Sequence, residues 1–259
     1  MIPMRKPFDQ GSLFPELDER DRAAREAEFF PTREGWPVRG LIEKADPPFR
    51  FGLVAEHAAG ECHIVRHVLA CVPAAKRWVL VELRPDAAER AGNVARDLGL
   101  SAHISVGDFL AGAGGDMTAV TLAITNPSFS IAAAYLAESV RRMPRADIAL
   151  LVRQGFFSSG ERKALLRDLP IDRYDLAERP SFKGDGTDLY DYSWAVTGPG
   201  RGGRWYQISR EPAAPVRCVA CCLDVRGACG ILLPDGGRCA LPRGHRSLEG
   251  TTDRRVEHW

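Results

Sequence analysis

The segment from Leu122 to Phe129 joins an apolar run to a short polar end that could hold a planar amine. Asn126 offers a side-chain carbonyl as an acceptor, and Pro127 has a fixed φ and leaves its backbone carbonyl free to accept. Phe129 supplies an aromatic face on which a flat ring can stack. A tight turn after a buried strand is the ordinary structure of such a segment, so this tetrapeptide is a weak indication by itself.

Three carboxylates follow apolar, strand-like runs earlier in the chain. They are Glu56 after residues 51–55, Glu82 after residues 78–81 and Asp108 after residues 102–106. Helical spacing fills the two intervals, with faces formed by Ile64, His67, Val68 and Cys71 and by Ala87, Ala91, Val94 and Leu98. This alternation predicts an α/β fold, a mostly parallel sheet with helices on both faces. Ligands of such sheets bind at the carboxyl ends of the strands, where all three carboxylates and Asn126 are expected.

With this spacing the chain resembles the class I S-adenosylmethionine-dependent methyltransferases, in the branch that modifies the N6 amine of adenine. The resemblance runs from about residue 29 to residue 198 and implies their Rossmann-like fold. It implies that Glu56 and Gly60 belong to the cofactor loop, that Glu82 accepts from the ribose hydroxyls, and that Asp108 meets the cofactor's adenine amine. The segment Asn126-Pro127-Ser128-Phe129 is similar to the family's (Asp/Asn)-Pro-Pro-(Tyr/Phe/Trp) motif.

Three other segments carry the likeness. Residues 150–163, and then 179–186 with 191–194, resemble segments of the phage-type DNA N6-adenine methyltransferases. Phe30-Pro31-Thr32 is similar to the aromatic-Pro-Thr segment that caps the methionine end of the cofactor. The resemblance therefore implies methyl transfer from S-adenosylmethionine to adenine N6 in DNA. The target base would be flipped out of the duplex and stacked on Phe129.

Three residues depart from the family pattern. Ser128 replaces the usual second proline, His57 stands where proline is common, and Cys62 stands where glycine is common. Glycine permits positive φ, whereas a side chain in such a strained conformation costs roughly 1 kcal/mol or more. These departures favour an alternative, a catalytically silent protein that binds nucleic acid or a partner. Two other substrates also stay open, adenine in RNA and a glutamine amide in protein, because the tetrapeptide is common to all three reactions.

Composition fits an intracellular enzyme of one α/β domain with a small appendage. The chain has 259 residues, is 45% hydrophobic and carries a formal net charge of +1. Its first residues lack the apolar core of a signal peptide, and no apolar run approaches the ~18 residues of a spanning helix. We therefore expect a cytoplasmic protein with DNA, and no membrane, as its partner. The sequence does not indicate the oligomeric state.

Three regions are predicted. Residues 1–28 form a charged helical segment, residues 29–211 form the methyltransferase domain, and residues 212–259 form a Cys/His-rich tail. Within the domain we expect a seven-stranded sheet. Two β-like runs, residues 190–197 and 205–208, flank a glycine-rich turn, which predicts that the sheet ends in an antiparallel hairpin.

The tail holds five of the seven cysteines. Cysteine and histidine at such intervals can surround a tetrahedral Zn²⁺, and the segment from Cys229 to His245 resembles small zinc-knuckle tails. The candidate ligands are Cys218, Cys221, Cys229, Cys239 and His245. Five candidates exceed four ligand places, and free cysteines without metal remain the alternative.

The tail yields a metal-binding prediction. Protein purified without chelator should contain one equivalent of zinc by elemental analysis. Cys239→Ser or His245→Ala should release it and unfold the segment after Pro212, because fewer than about 50 residues cannot bury enough apolar surface alone. Cofactor binding by the preceding domain should survive. Metal-free protein would eliminate the site.

Overall fold

The computed structural model of the protein describes residues 30–158, 160–182 and 186–210. The predicted charged segment 1–28 lies outside these residues. So does the tail 212–259 with its proposed zinc ligands.

The described chain alternates helices and strands through most of its length. The helices are α1 (Trp36–Lys44), α2 (His63–Cys71), α3 (Pro85–Asp97), α4 (Ala132–Arg142) and α5 (Lys163–Asp168). The strands are β1 (Val54–Glu56), β2 (Arg77–Glu82), β3 (Ser101–Val106), β4 (Leu122–Thr125), β5 (Asp147–Arg153), β6 (Ile171–Leu176), β7 (Tyr192–Thr197) and β8 (Trp205–Ile208). The predicted strand–turn–helix order around β1, β2 and β3 is confirmed.

These strands form one sheet in the order β3-β2-β1-β4-β5-β7-β6-β8. The pairings from β3 to β5 are parallel, β7 is antiparallel to both β5 and β6, and β8 is parallel to β6. The described sheet therefore has eight strands, one more than predicted. The additional strand is β6. Its sequence, IDRYDL, contains three charged residues and therefore lacks the apolar run from which a buried strand is predicted.

The predicted terminal hairpin is wrong, because β7 and β8 are separated by β6. Burial explains the arrangement. All six residues of β7 are buried, which suits a central strand, whereas three of the four residues of β8 are wholly or partly exposed, which suits an edge. The glycine-rich segment after Thr197 thus carries the chain past the end of β6 instead of closing a tight turn.

Helices cover both faces of the sheet, as predicted. Apolar residues of α1, α2 and α3 pack on one face together with Leu122 and Ile124. Residues of α4 pack on the other, together with Ala123. The predicted inner face of α2 needs one correction, because Val65 is buried where His67 and Cys71 are only partly so. No helix in the described ranges is long and apolar enough to cross a membrane.

A buried charge cluster fixes the segment between β7 and β8. The side chain of Arg201 is fully buried, and its Nε donates to Asp147 Oδ1 at 3.0 Å. Asp172 lies beside it and accepts from the backbone N–H groups of Gly202 and Arg204 at 3.0 and 2.8 Å. The arginine therefore joins the start of β5 to β6 from a loop that follows β7.

Removing this arginine should destabilise the domain. Arg201→Leu leaves the buried Asp147 without its cation and Asp172 with Arg204 alone, and breaking a buried ion pair in this way typically costs about 3–5 kcal/mol. The free energy of unfolding, measured by urea denaturation, should fall by that amount. Arg90→Leu, which breaks an exposed ion pair with Asp86, is the control and should leave it nearly unchanged. Equal losses for the two variants would contradict a special role for the buried cluster.

Candidate active site

The carboxyl ends of β1, β2 and β4 open into one cleft. The residues predicted to bind cofactor all line it: Phe30, Pro31, Thr32, Glu56, Gly60, Glu82, Asp108 and Asn126. They come from the N-terminal segment and from the residues that end or follow four strands. The parallel sheet brings them together because its strand ends share an edge.

Glu82 and the loop after β1 form one wall of the cleft. The Gly60 N–H donates to Glu82 Oε2 at 2.7 Å, and the backbone N–H and Nε of Arg84 each donate to Oε1 at 3.0 Å. Glu82 is only 6% exposed, so these bonds fix its carboxylate firmly. A carboxylate oxygen has two lone pairs, so Oε2, which accepts from the Gly60 N–H, retains capacity for a hydroxyl donor.

Glu56 is the most deeply buried carboxyl group of the cleft. It accepts from the backbone N–H of Val65 in the first turn of α2, but its Oε2 is buried without a hydrogen-bond partner. Burial, and secondarily the charge of Glu82, raise the pKa of Glu56 well above its ordinary value. Glu56 and Glu82 thus face one cleft, and Glu56, the more deeply buried of the two, has no cation beside it among the described residues. This arrangement suits a positively charged ligand.

Cys62 has a left-handed backbone, with φ 57° and ψ 34°, immediately before α2. It is the one non-glycine residue with positive φ in the described part of the chain. Position 62 therefore has the positive φ that a glycine at this point of the loop would permit. For a residue with a Cβ this conformation costs about 1–2 kcal/mol. The side chain is fully buried, and burial raises the pKa of its thiol to about 12. The thiol is consequently protonated at neutral pH.

His57 lies at the floor of the cleft as a neutral ring. It is 4.2 Å from Phe109 and stacked at 5.4 Å on Tyr135, measured between ring centroids. Its Nε2 is 2.9 Å from Ser139 Oγ, and Nδ1 is buried without a partner. Burial, with the nearby charge of Arg142, lowers the pKa of His57 to about 3. The histidine thus substitutes for the family's proline as a packed, uncharged residue.

Asp108 follows β3 and begins a short 3₁₀ turn. Its Oδ1 accepts from the Leu110 N–H at 2.9 Å, which caps the turn and orients the carboxylate at the cleft.

The side chain of Asn126 is held in one orientation. Nδ2 donates to the backbone oxygen of Phe30 at 2.7 Å and to Thr32 Oγ1 at 3.1 Å. The Phe30 carbonyl can only accept, which assigns the amide nitrogen to that side and Oδ1 to the other. Oδ1 is buried without a hydrogen-bond partner. The site therefore presents an oriented and unoccupied carbonyl acceptor.

The other residues of the tetrapeptide are placed differently. Ser128 lines the cleft, with Oγ 3.0 Å from Ser130 Oγ, whereas Pro127 and Phe129 are buried and do not line it. Phe129 belongs to an aromatic cluster defined by Phe30, Phe129, Phe182 and Tyr192, with ring centroids 5.0–6.1 Å apart. This acceptor-side cluster adjoins the cleft through Phe30.

The contacts by which His67 and Glu34 hold residues 32–36 were not predicted from the sequence. His67 Nε2 lies 2.9 and 3.1 Å from the carbonyl oxygens of Thr32 and Arg33, so the ring must donate there. Glu34 accepts from Trp36 Nε1 and from the Ser181 N–H, each at 3.0 Å. Sequence patterns indicated only an apolar helix face for His67, because the carbonyls it meets lie over thirty residues away in the chain.

No group of three or more histidine, cysteine, aspartate or glutamate side chains suited to a metal occurs in the described ranges. The proposed zinc site lies outside them and stays a prediction.

Two solved structures with a similar fold are of methyltransferases. The methyltransferase subunit of a type I restriction-modification system from Streptococcus thermophilus matches with a TM-score of 0.55 and 13% identity, over 70% of this chain and 47% of that one. The type I restriction enzyme EcoKI M protein matches with a TM-score of 0.53 and 13% identity, over 75% and 52%. The likeness establishes the fold. The predicted Rossmann-like methyltransferase fold is thus confirmed, with eight strands instead of seven.

The chain spans about half the length of these two proteins. No protein-family model matches the chain. No curated protein matches it either.

The buried Glu56 yields a pH prediction. Its pKa is raised in the folded state, so the folded protein retains a proton that the unfolded chain releases above about pH 4.3. The free energy of unfolding should therefore decline as pH rises from that value towards the raised pKa. Glu56→Gln cannot ionise and should lose this decline, so its stability relative to the native protein should increase between pH 5 and pH 8.

Urea denaturation at the two pH values measures the difference. Glu61→Gln is the control, because Glu61 is exposed beside the same loop. Parallel pH profiles for the native protein and Glu56→Gln would show that Glu56 is not the responsible group.

Proposed function

We propose that this protein transfers a methyl group from S-adenosylmethionine to the N6 amine of adenine in DNA. The observation that carries the proposal is the fixed carboxamide of Asn126, whose Oδ1 is buried, oriented and without a partner at the edge of the cleft. An aromatic amine has two N–H groups to donate and a lone pair delocalised into its ring. A fixed acceptor positions it for reaction and favours the geometry in which nitrogen attacks.

The residues of the cleft fit the cofactor. The unpartnered Glu56 Oε2 suits the positive charge of its methionine portion, and the shielded carboxylate of Glu82 suits ribose hydroxyls. Asp108, which lines the cleft, is the proposed acceptor for the adenine amine of the cofactor, and Phe30 to Thr32 border the same space. When bound, the cofactor supplies a methyl group that is already activated and leaves a neutral sulfide behind.

The chain's own residues then have limited chemistry to perform. Asn126 Oδ1 accepts one N–H of the target amine, and the Pro127 carbonyl is the proposed acceptor of the second. No general base is obligatory before transfer, because the proton can leave to water after the C–N bond has formed. The catalytic contribution is therefore positioning and stabilisation of the developing charge on nitrogen.

Three observations favour DNA as the substrate. The segments at residues 179–186 and 191–194 resemble those of phage-type DNA methyltransferases, and Phe182 and Tyr192 from these segments enter the acceptor-side cluster. The aromatic residues are of the type that stacks an extruded base. Two of the proteins with a similar fold belong to type I restriction systems.

The remaining parts of the proposal rest on the sequence. We propose a cytoplasmic location and a structural zinc ion in the tail. Neither enters the transfer step.

Nucleoside analysis tests the substrate directly. DNA and RNA from cells expressing the chain should be digested to nucleosides and analysed by mass spectrometry, with cells expressing Asn126→Ala as the control. The proposal predicts N6-methyladenine in DNA that depends on the native chain. N6-methyladenine in RNA alone, or N5-methylglutamine in digested protein, would reassign the substrate, and no methylated product with intact cofactor binding would indicate a silent binding protein.

Replacing Asn126 should separate catalysis from cofactor binding. Asn126→Ala removes the acceptor and should lower the rate of methyl transfer about 10²-fold or more. Calorimetry should show S-adenosylmethionine affinity close to that of the native protein. Asn93→Ala, on the exposed side of α3, is the matched control and should retain full activity. An Asn126→Ala enzyme with most of its activity would refute the assignment.

The Glu82→Ala replacement should instead impair the binding of the cofactor. Loss of hydrogen bonds to a charged group should weaken S-adenosylmethionine binding by roughly 1.5–3 kcal/mol. Calorimetry measures this directly, and an unchanged affinity would place the cofactor elsewhere.

A further inference from the structure

Arg153 ends β5 and lies against the aromatic residues of the acceptor side. Its guanidinium carbon Cζ is 4.6 Å from the ring centroid of Phe129 and 3.9 Å from that of Tyr190. Phe30, which lines the cofactor cleft, is 5.9 Å away by the same measure. The face of Phe129 that the sequence offers to a target base is therefore covered by a planar cation.

The surroundings of this guanidinium differ from those of two other arginines that lie over aromatic rings. Arg142 and Arg173 also lie over aromatic rings, but Arg142 donates to backbone carbonyls and Arg173 to the carboxylate of Asp175. Arg153 makes no ion pair with any residue in the described ranges, and its Nε is buried without a hydrogen-bond partner, so its polar contact is with the phenol of Tyr192 and not with a carboxylate or a carbonyl group. An arginine kept for stability alone would be expected to have such partners.

One side of the arrangement reaches the surface. Tyr190 is 49% exposed and the adjacent Leu189 is 82% exposed. A large substrate can therefore reach Tyr190, and with it the half-buried Arg153 that lies on its ring, from solvent. A guanidinium and a nucleobase are both flat and both stack on aromatic faces, so one can substitute for the other at this position.

We infer that Arg153 occupies the position of the acceptor base while the site is empty, stacked on Phe129 and Tyr190. An incoming nucleobase displaces it, and the freed guanidinium binds the phosphate of the same nucleotide. This inference rests on the proposed function and deepens it, because it assigns the acceptor as a nucleotide within a nucleic acid. Displacement is also required by the chemistry, since a cation beside the target amine would oppose the positive charge that develops on its nitrogen.

Fluorescence binding tests the inference with small probes. The full-length protein, saturated with S-adenosylmethionine, is titrated with 2-aminopurine deoxyriboside and with its 5′-monophosphate, whose emission is quenched by stacking. The corresponding ribonucleosides separate a DNA preference from an RNA preference. The variants are Arg153→Ala and Arg153→Lys. Arg162→Ala is the control, because Arg162 lies 5.1 Å from the Phe156 ring, does not line the cleft and makes no ion pair with a described residue.

Arg153→Ala should bind the nucleoside about 2- to 30-fold more tightly than the native protein, because no cation–π contact has to be broken. The native protein should prefer the monophosphate over the nucleoside by up to about fivefold, as for an exposed ion pair, and Arg153→Ala should lose that preference. Arg153→Lys should retain it, because the ammonium group still reaches phosphate. Arg162→Ala should behave like the native protein.

Tighter nucleoside binding with loss of the phosphate preference supports the inference. Unchanged or weaker nucleoside binding by Arg153→Ala overturns it, as does the absence of quenching in every variant. Displacement of the probe by N-acetylglutamine amide also overturns it, by assigning the position to a protein side chain.

Nuclear magnetic resonance provides a readout that needs no substrate. The Nε–H signal of Arg153 in the free protein should be shifted upfield by the ring currents of Phe129 and Tyr190, and the monophosphate should move it towards the value of a solvated arginine. An unshifted signal in the free protein overturns the inference. Failure of the proposed function appears separately, as absence of methylated product while these binding results hold.

Discussion

The hydrogen bonds between Asn126 and the N-terminal segment determine the geometry of the site. Both hydrogens of Nδ2 are used by acceptors 96 and 94 residues away in sequence, the Phe30 carbonyl and Thr32 Oγ1. A carboxamide held in this way cannot turn over without breaking two bonds. The acceptor oxygen therefore points correctly only when residues 30–32 are in place, and His67 and Glu34 hold that segment against α2 and the chain near Ser181. These bonds join residues 30–32 of the cleft to the tetrapeptide, alongside the ring contact of Phe30 with Phe129.

Several residues of the cleft lower the stability of the folded protein. Glu56 and His57 are buried side by side with unsatisfied atoms, and Cys62 has a strained backbone. Each of these groups would be more stable elsewhere or as another residue, since unpartnered buried polar atoms typically cost about 1–3 kcal/mol. Such departures from a stable arrangement concentrate at ligand sites, where a bound molecule supplies the missing partners. The rest of the sheet offsets them with apolar clusters on both faces.

The sequence predicted that the carboxylates after the first three strands meet in one cleft, but it did not predict what covers Phe129. Glu56, Glu82 and Asp108 each end or follow an apolar run, and the topology of a parallel sheet then requires them to meet. No such rule places Arg153 over Phe129, because side-chain stacking depends on where the chain returns after β5.

The sheet order was missed for a related reason. A glycine-rich turn between two β-like runs is the ordinary pattern of a hairpin. The strand order instead follows from the burial of all of β7, which needs a neighbouring strand on each side. One of these neighbours is β6, which the sequence pattern did not predict because it contains Asp172, Arg173 and Asp175. Arg173 and Asp175 pair with each other, but the partners of Asp172 lie some thirty residues further along the chain, so pattern alone could not show that its charge is satisfied inside the protein.

The position of β7 has a consequence for how the chain is made. During synthesis β6 emerges before β7, while the edge of β5 that β7 will cover is still open, so β5 and β6 could pair directly and exclude the later strand. The acids of β6 discourage this. Asp172 finds Arg201 and the N–H groups of Gly202 and Arg204, and Asp175 finds Ser193 and Trp205, only after the ribosome has passed those residues. Buried prematurely, Asp172 would carry an uncompensated charge, so the carboxylate that helps to complete the sheet also delays its closure until β7 and the segment after it are available.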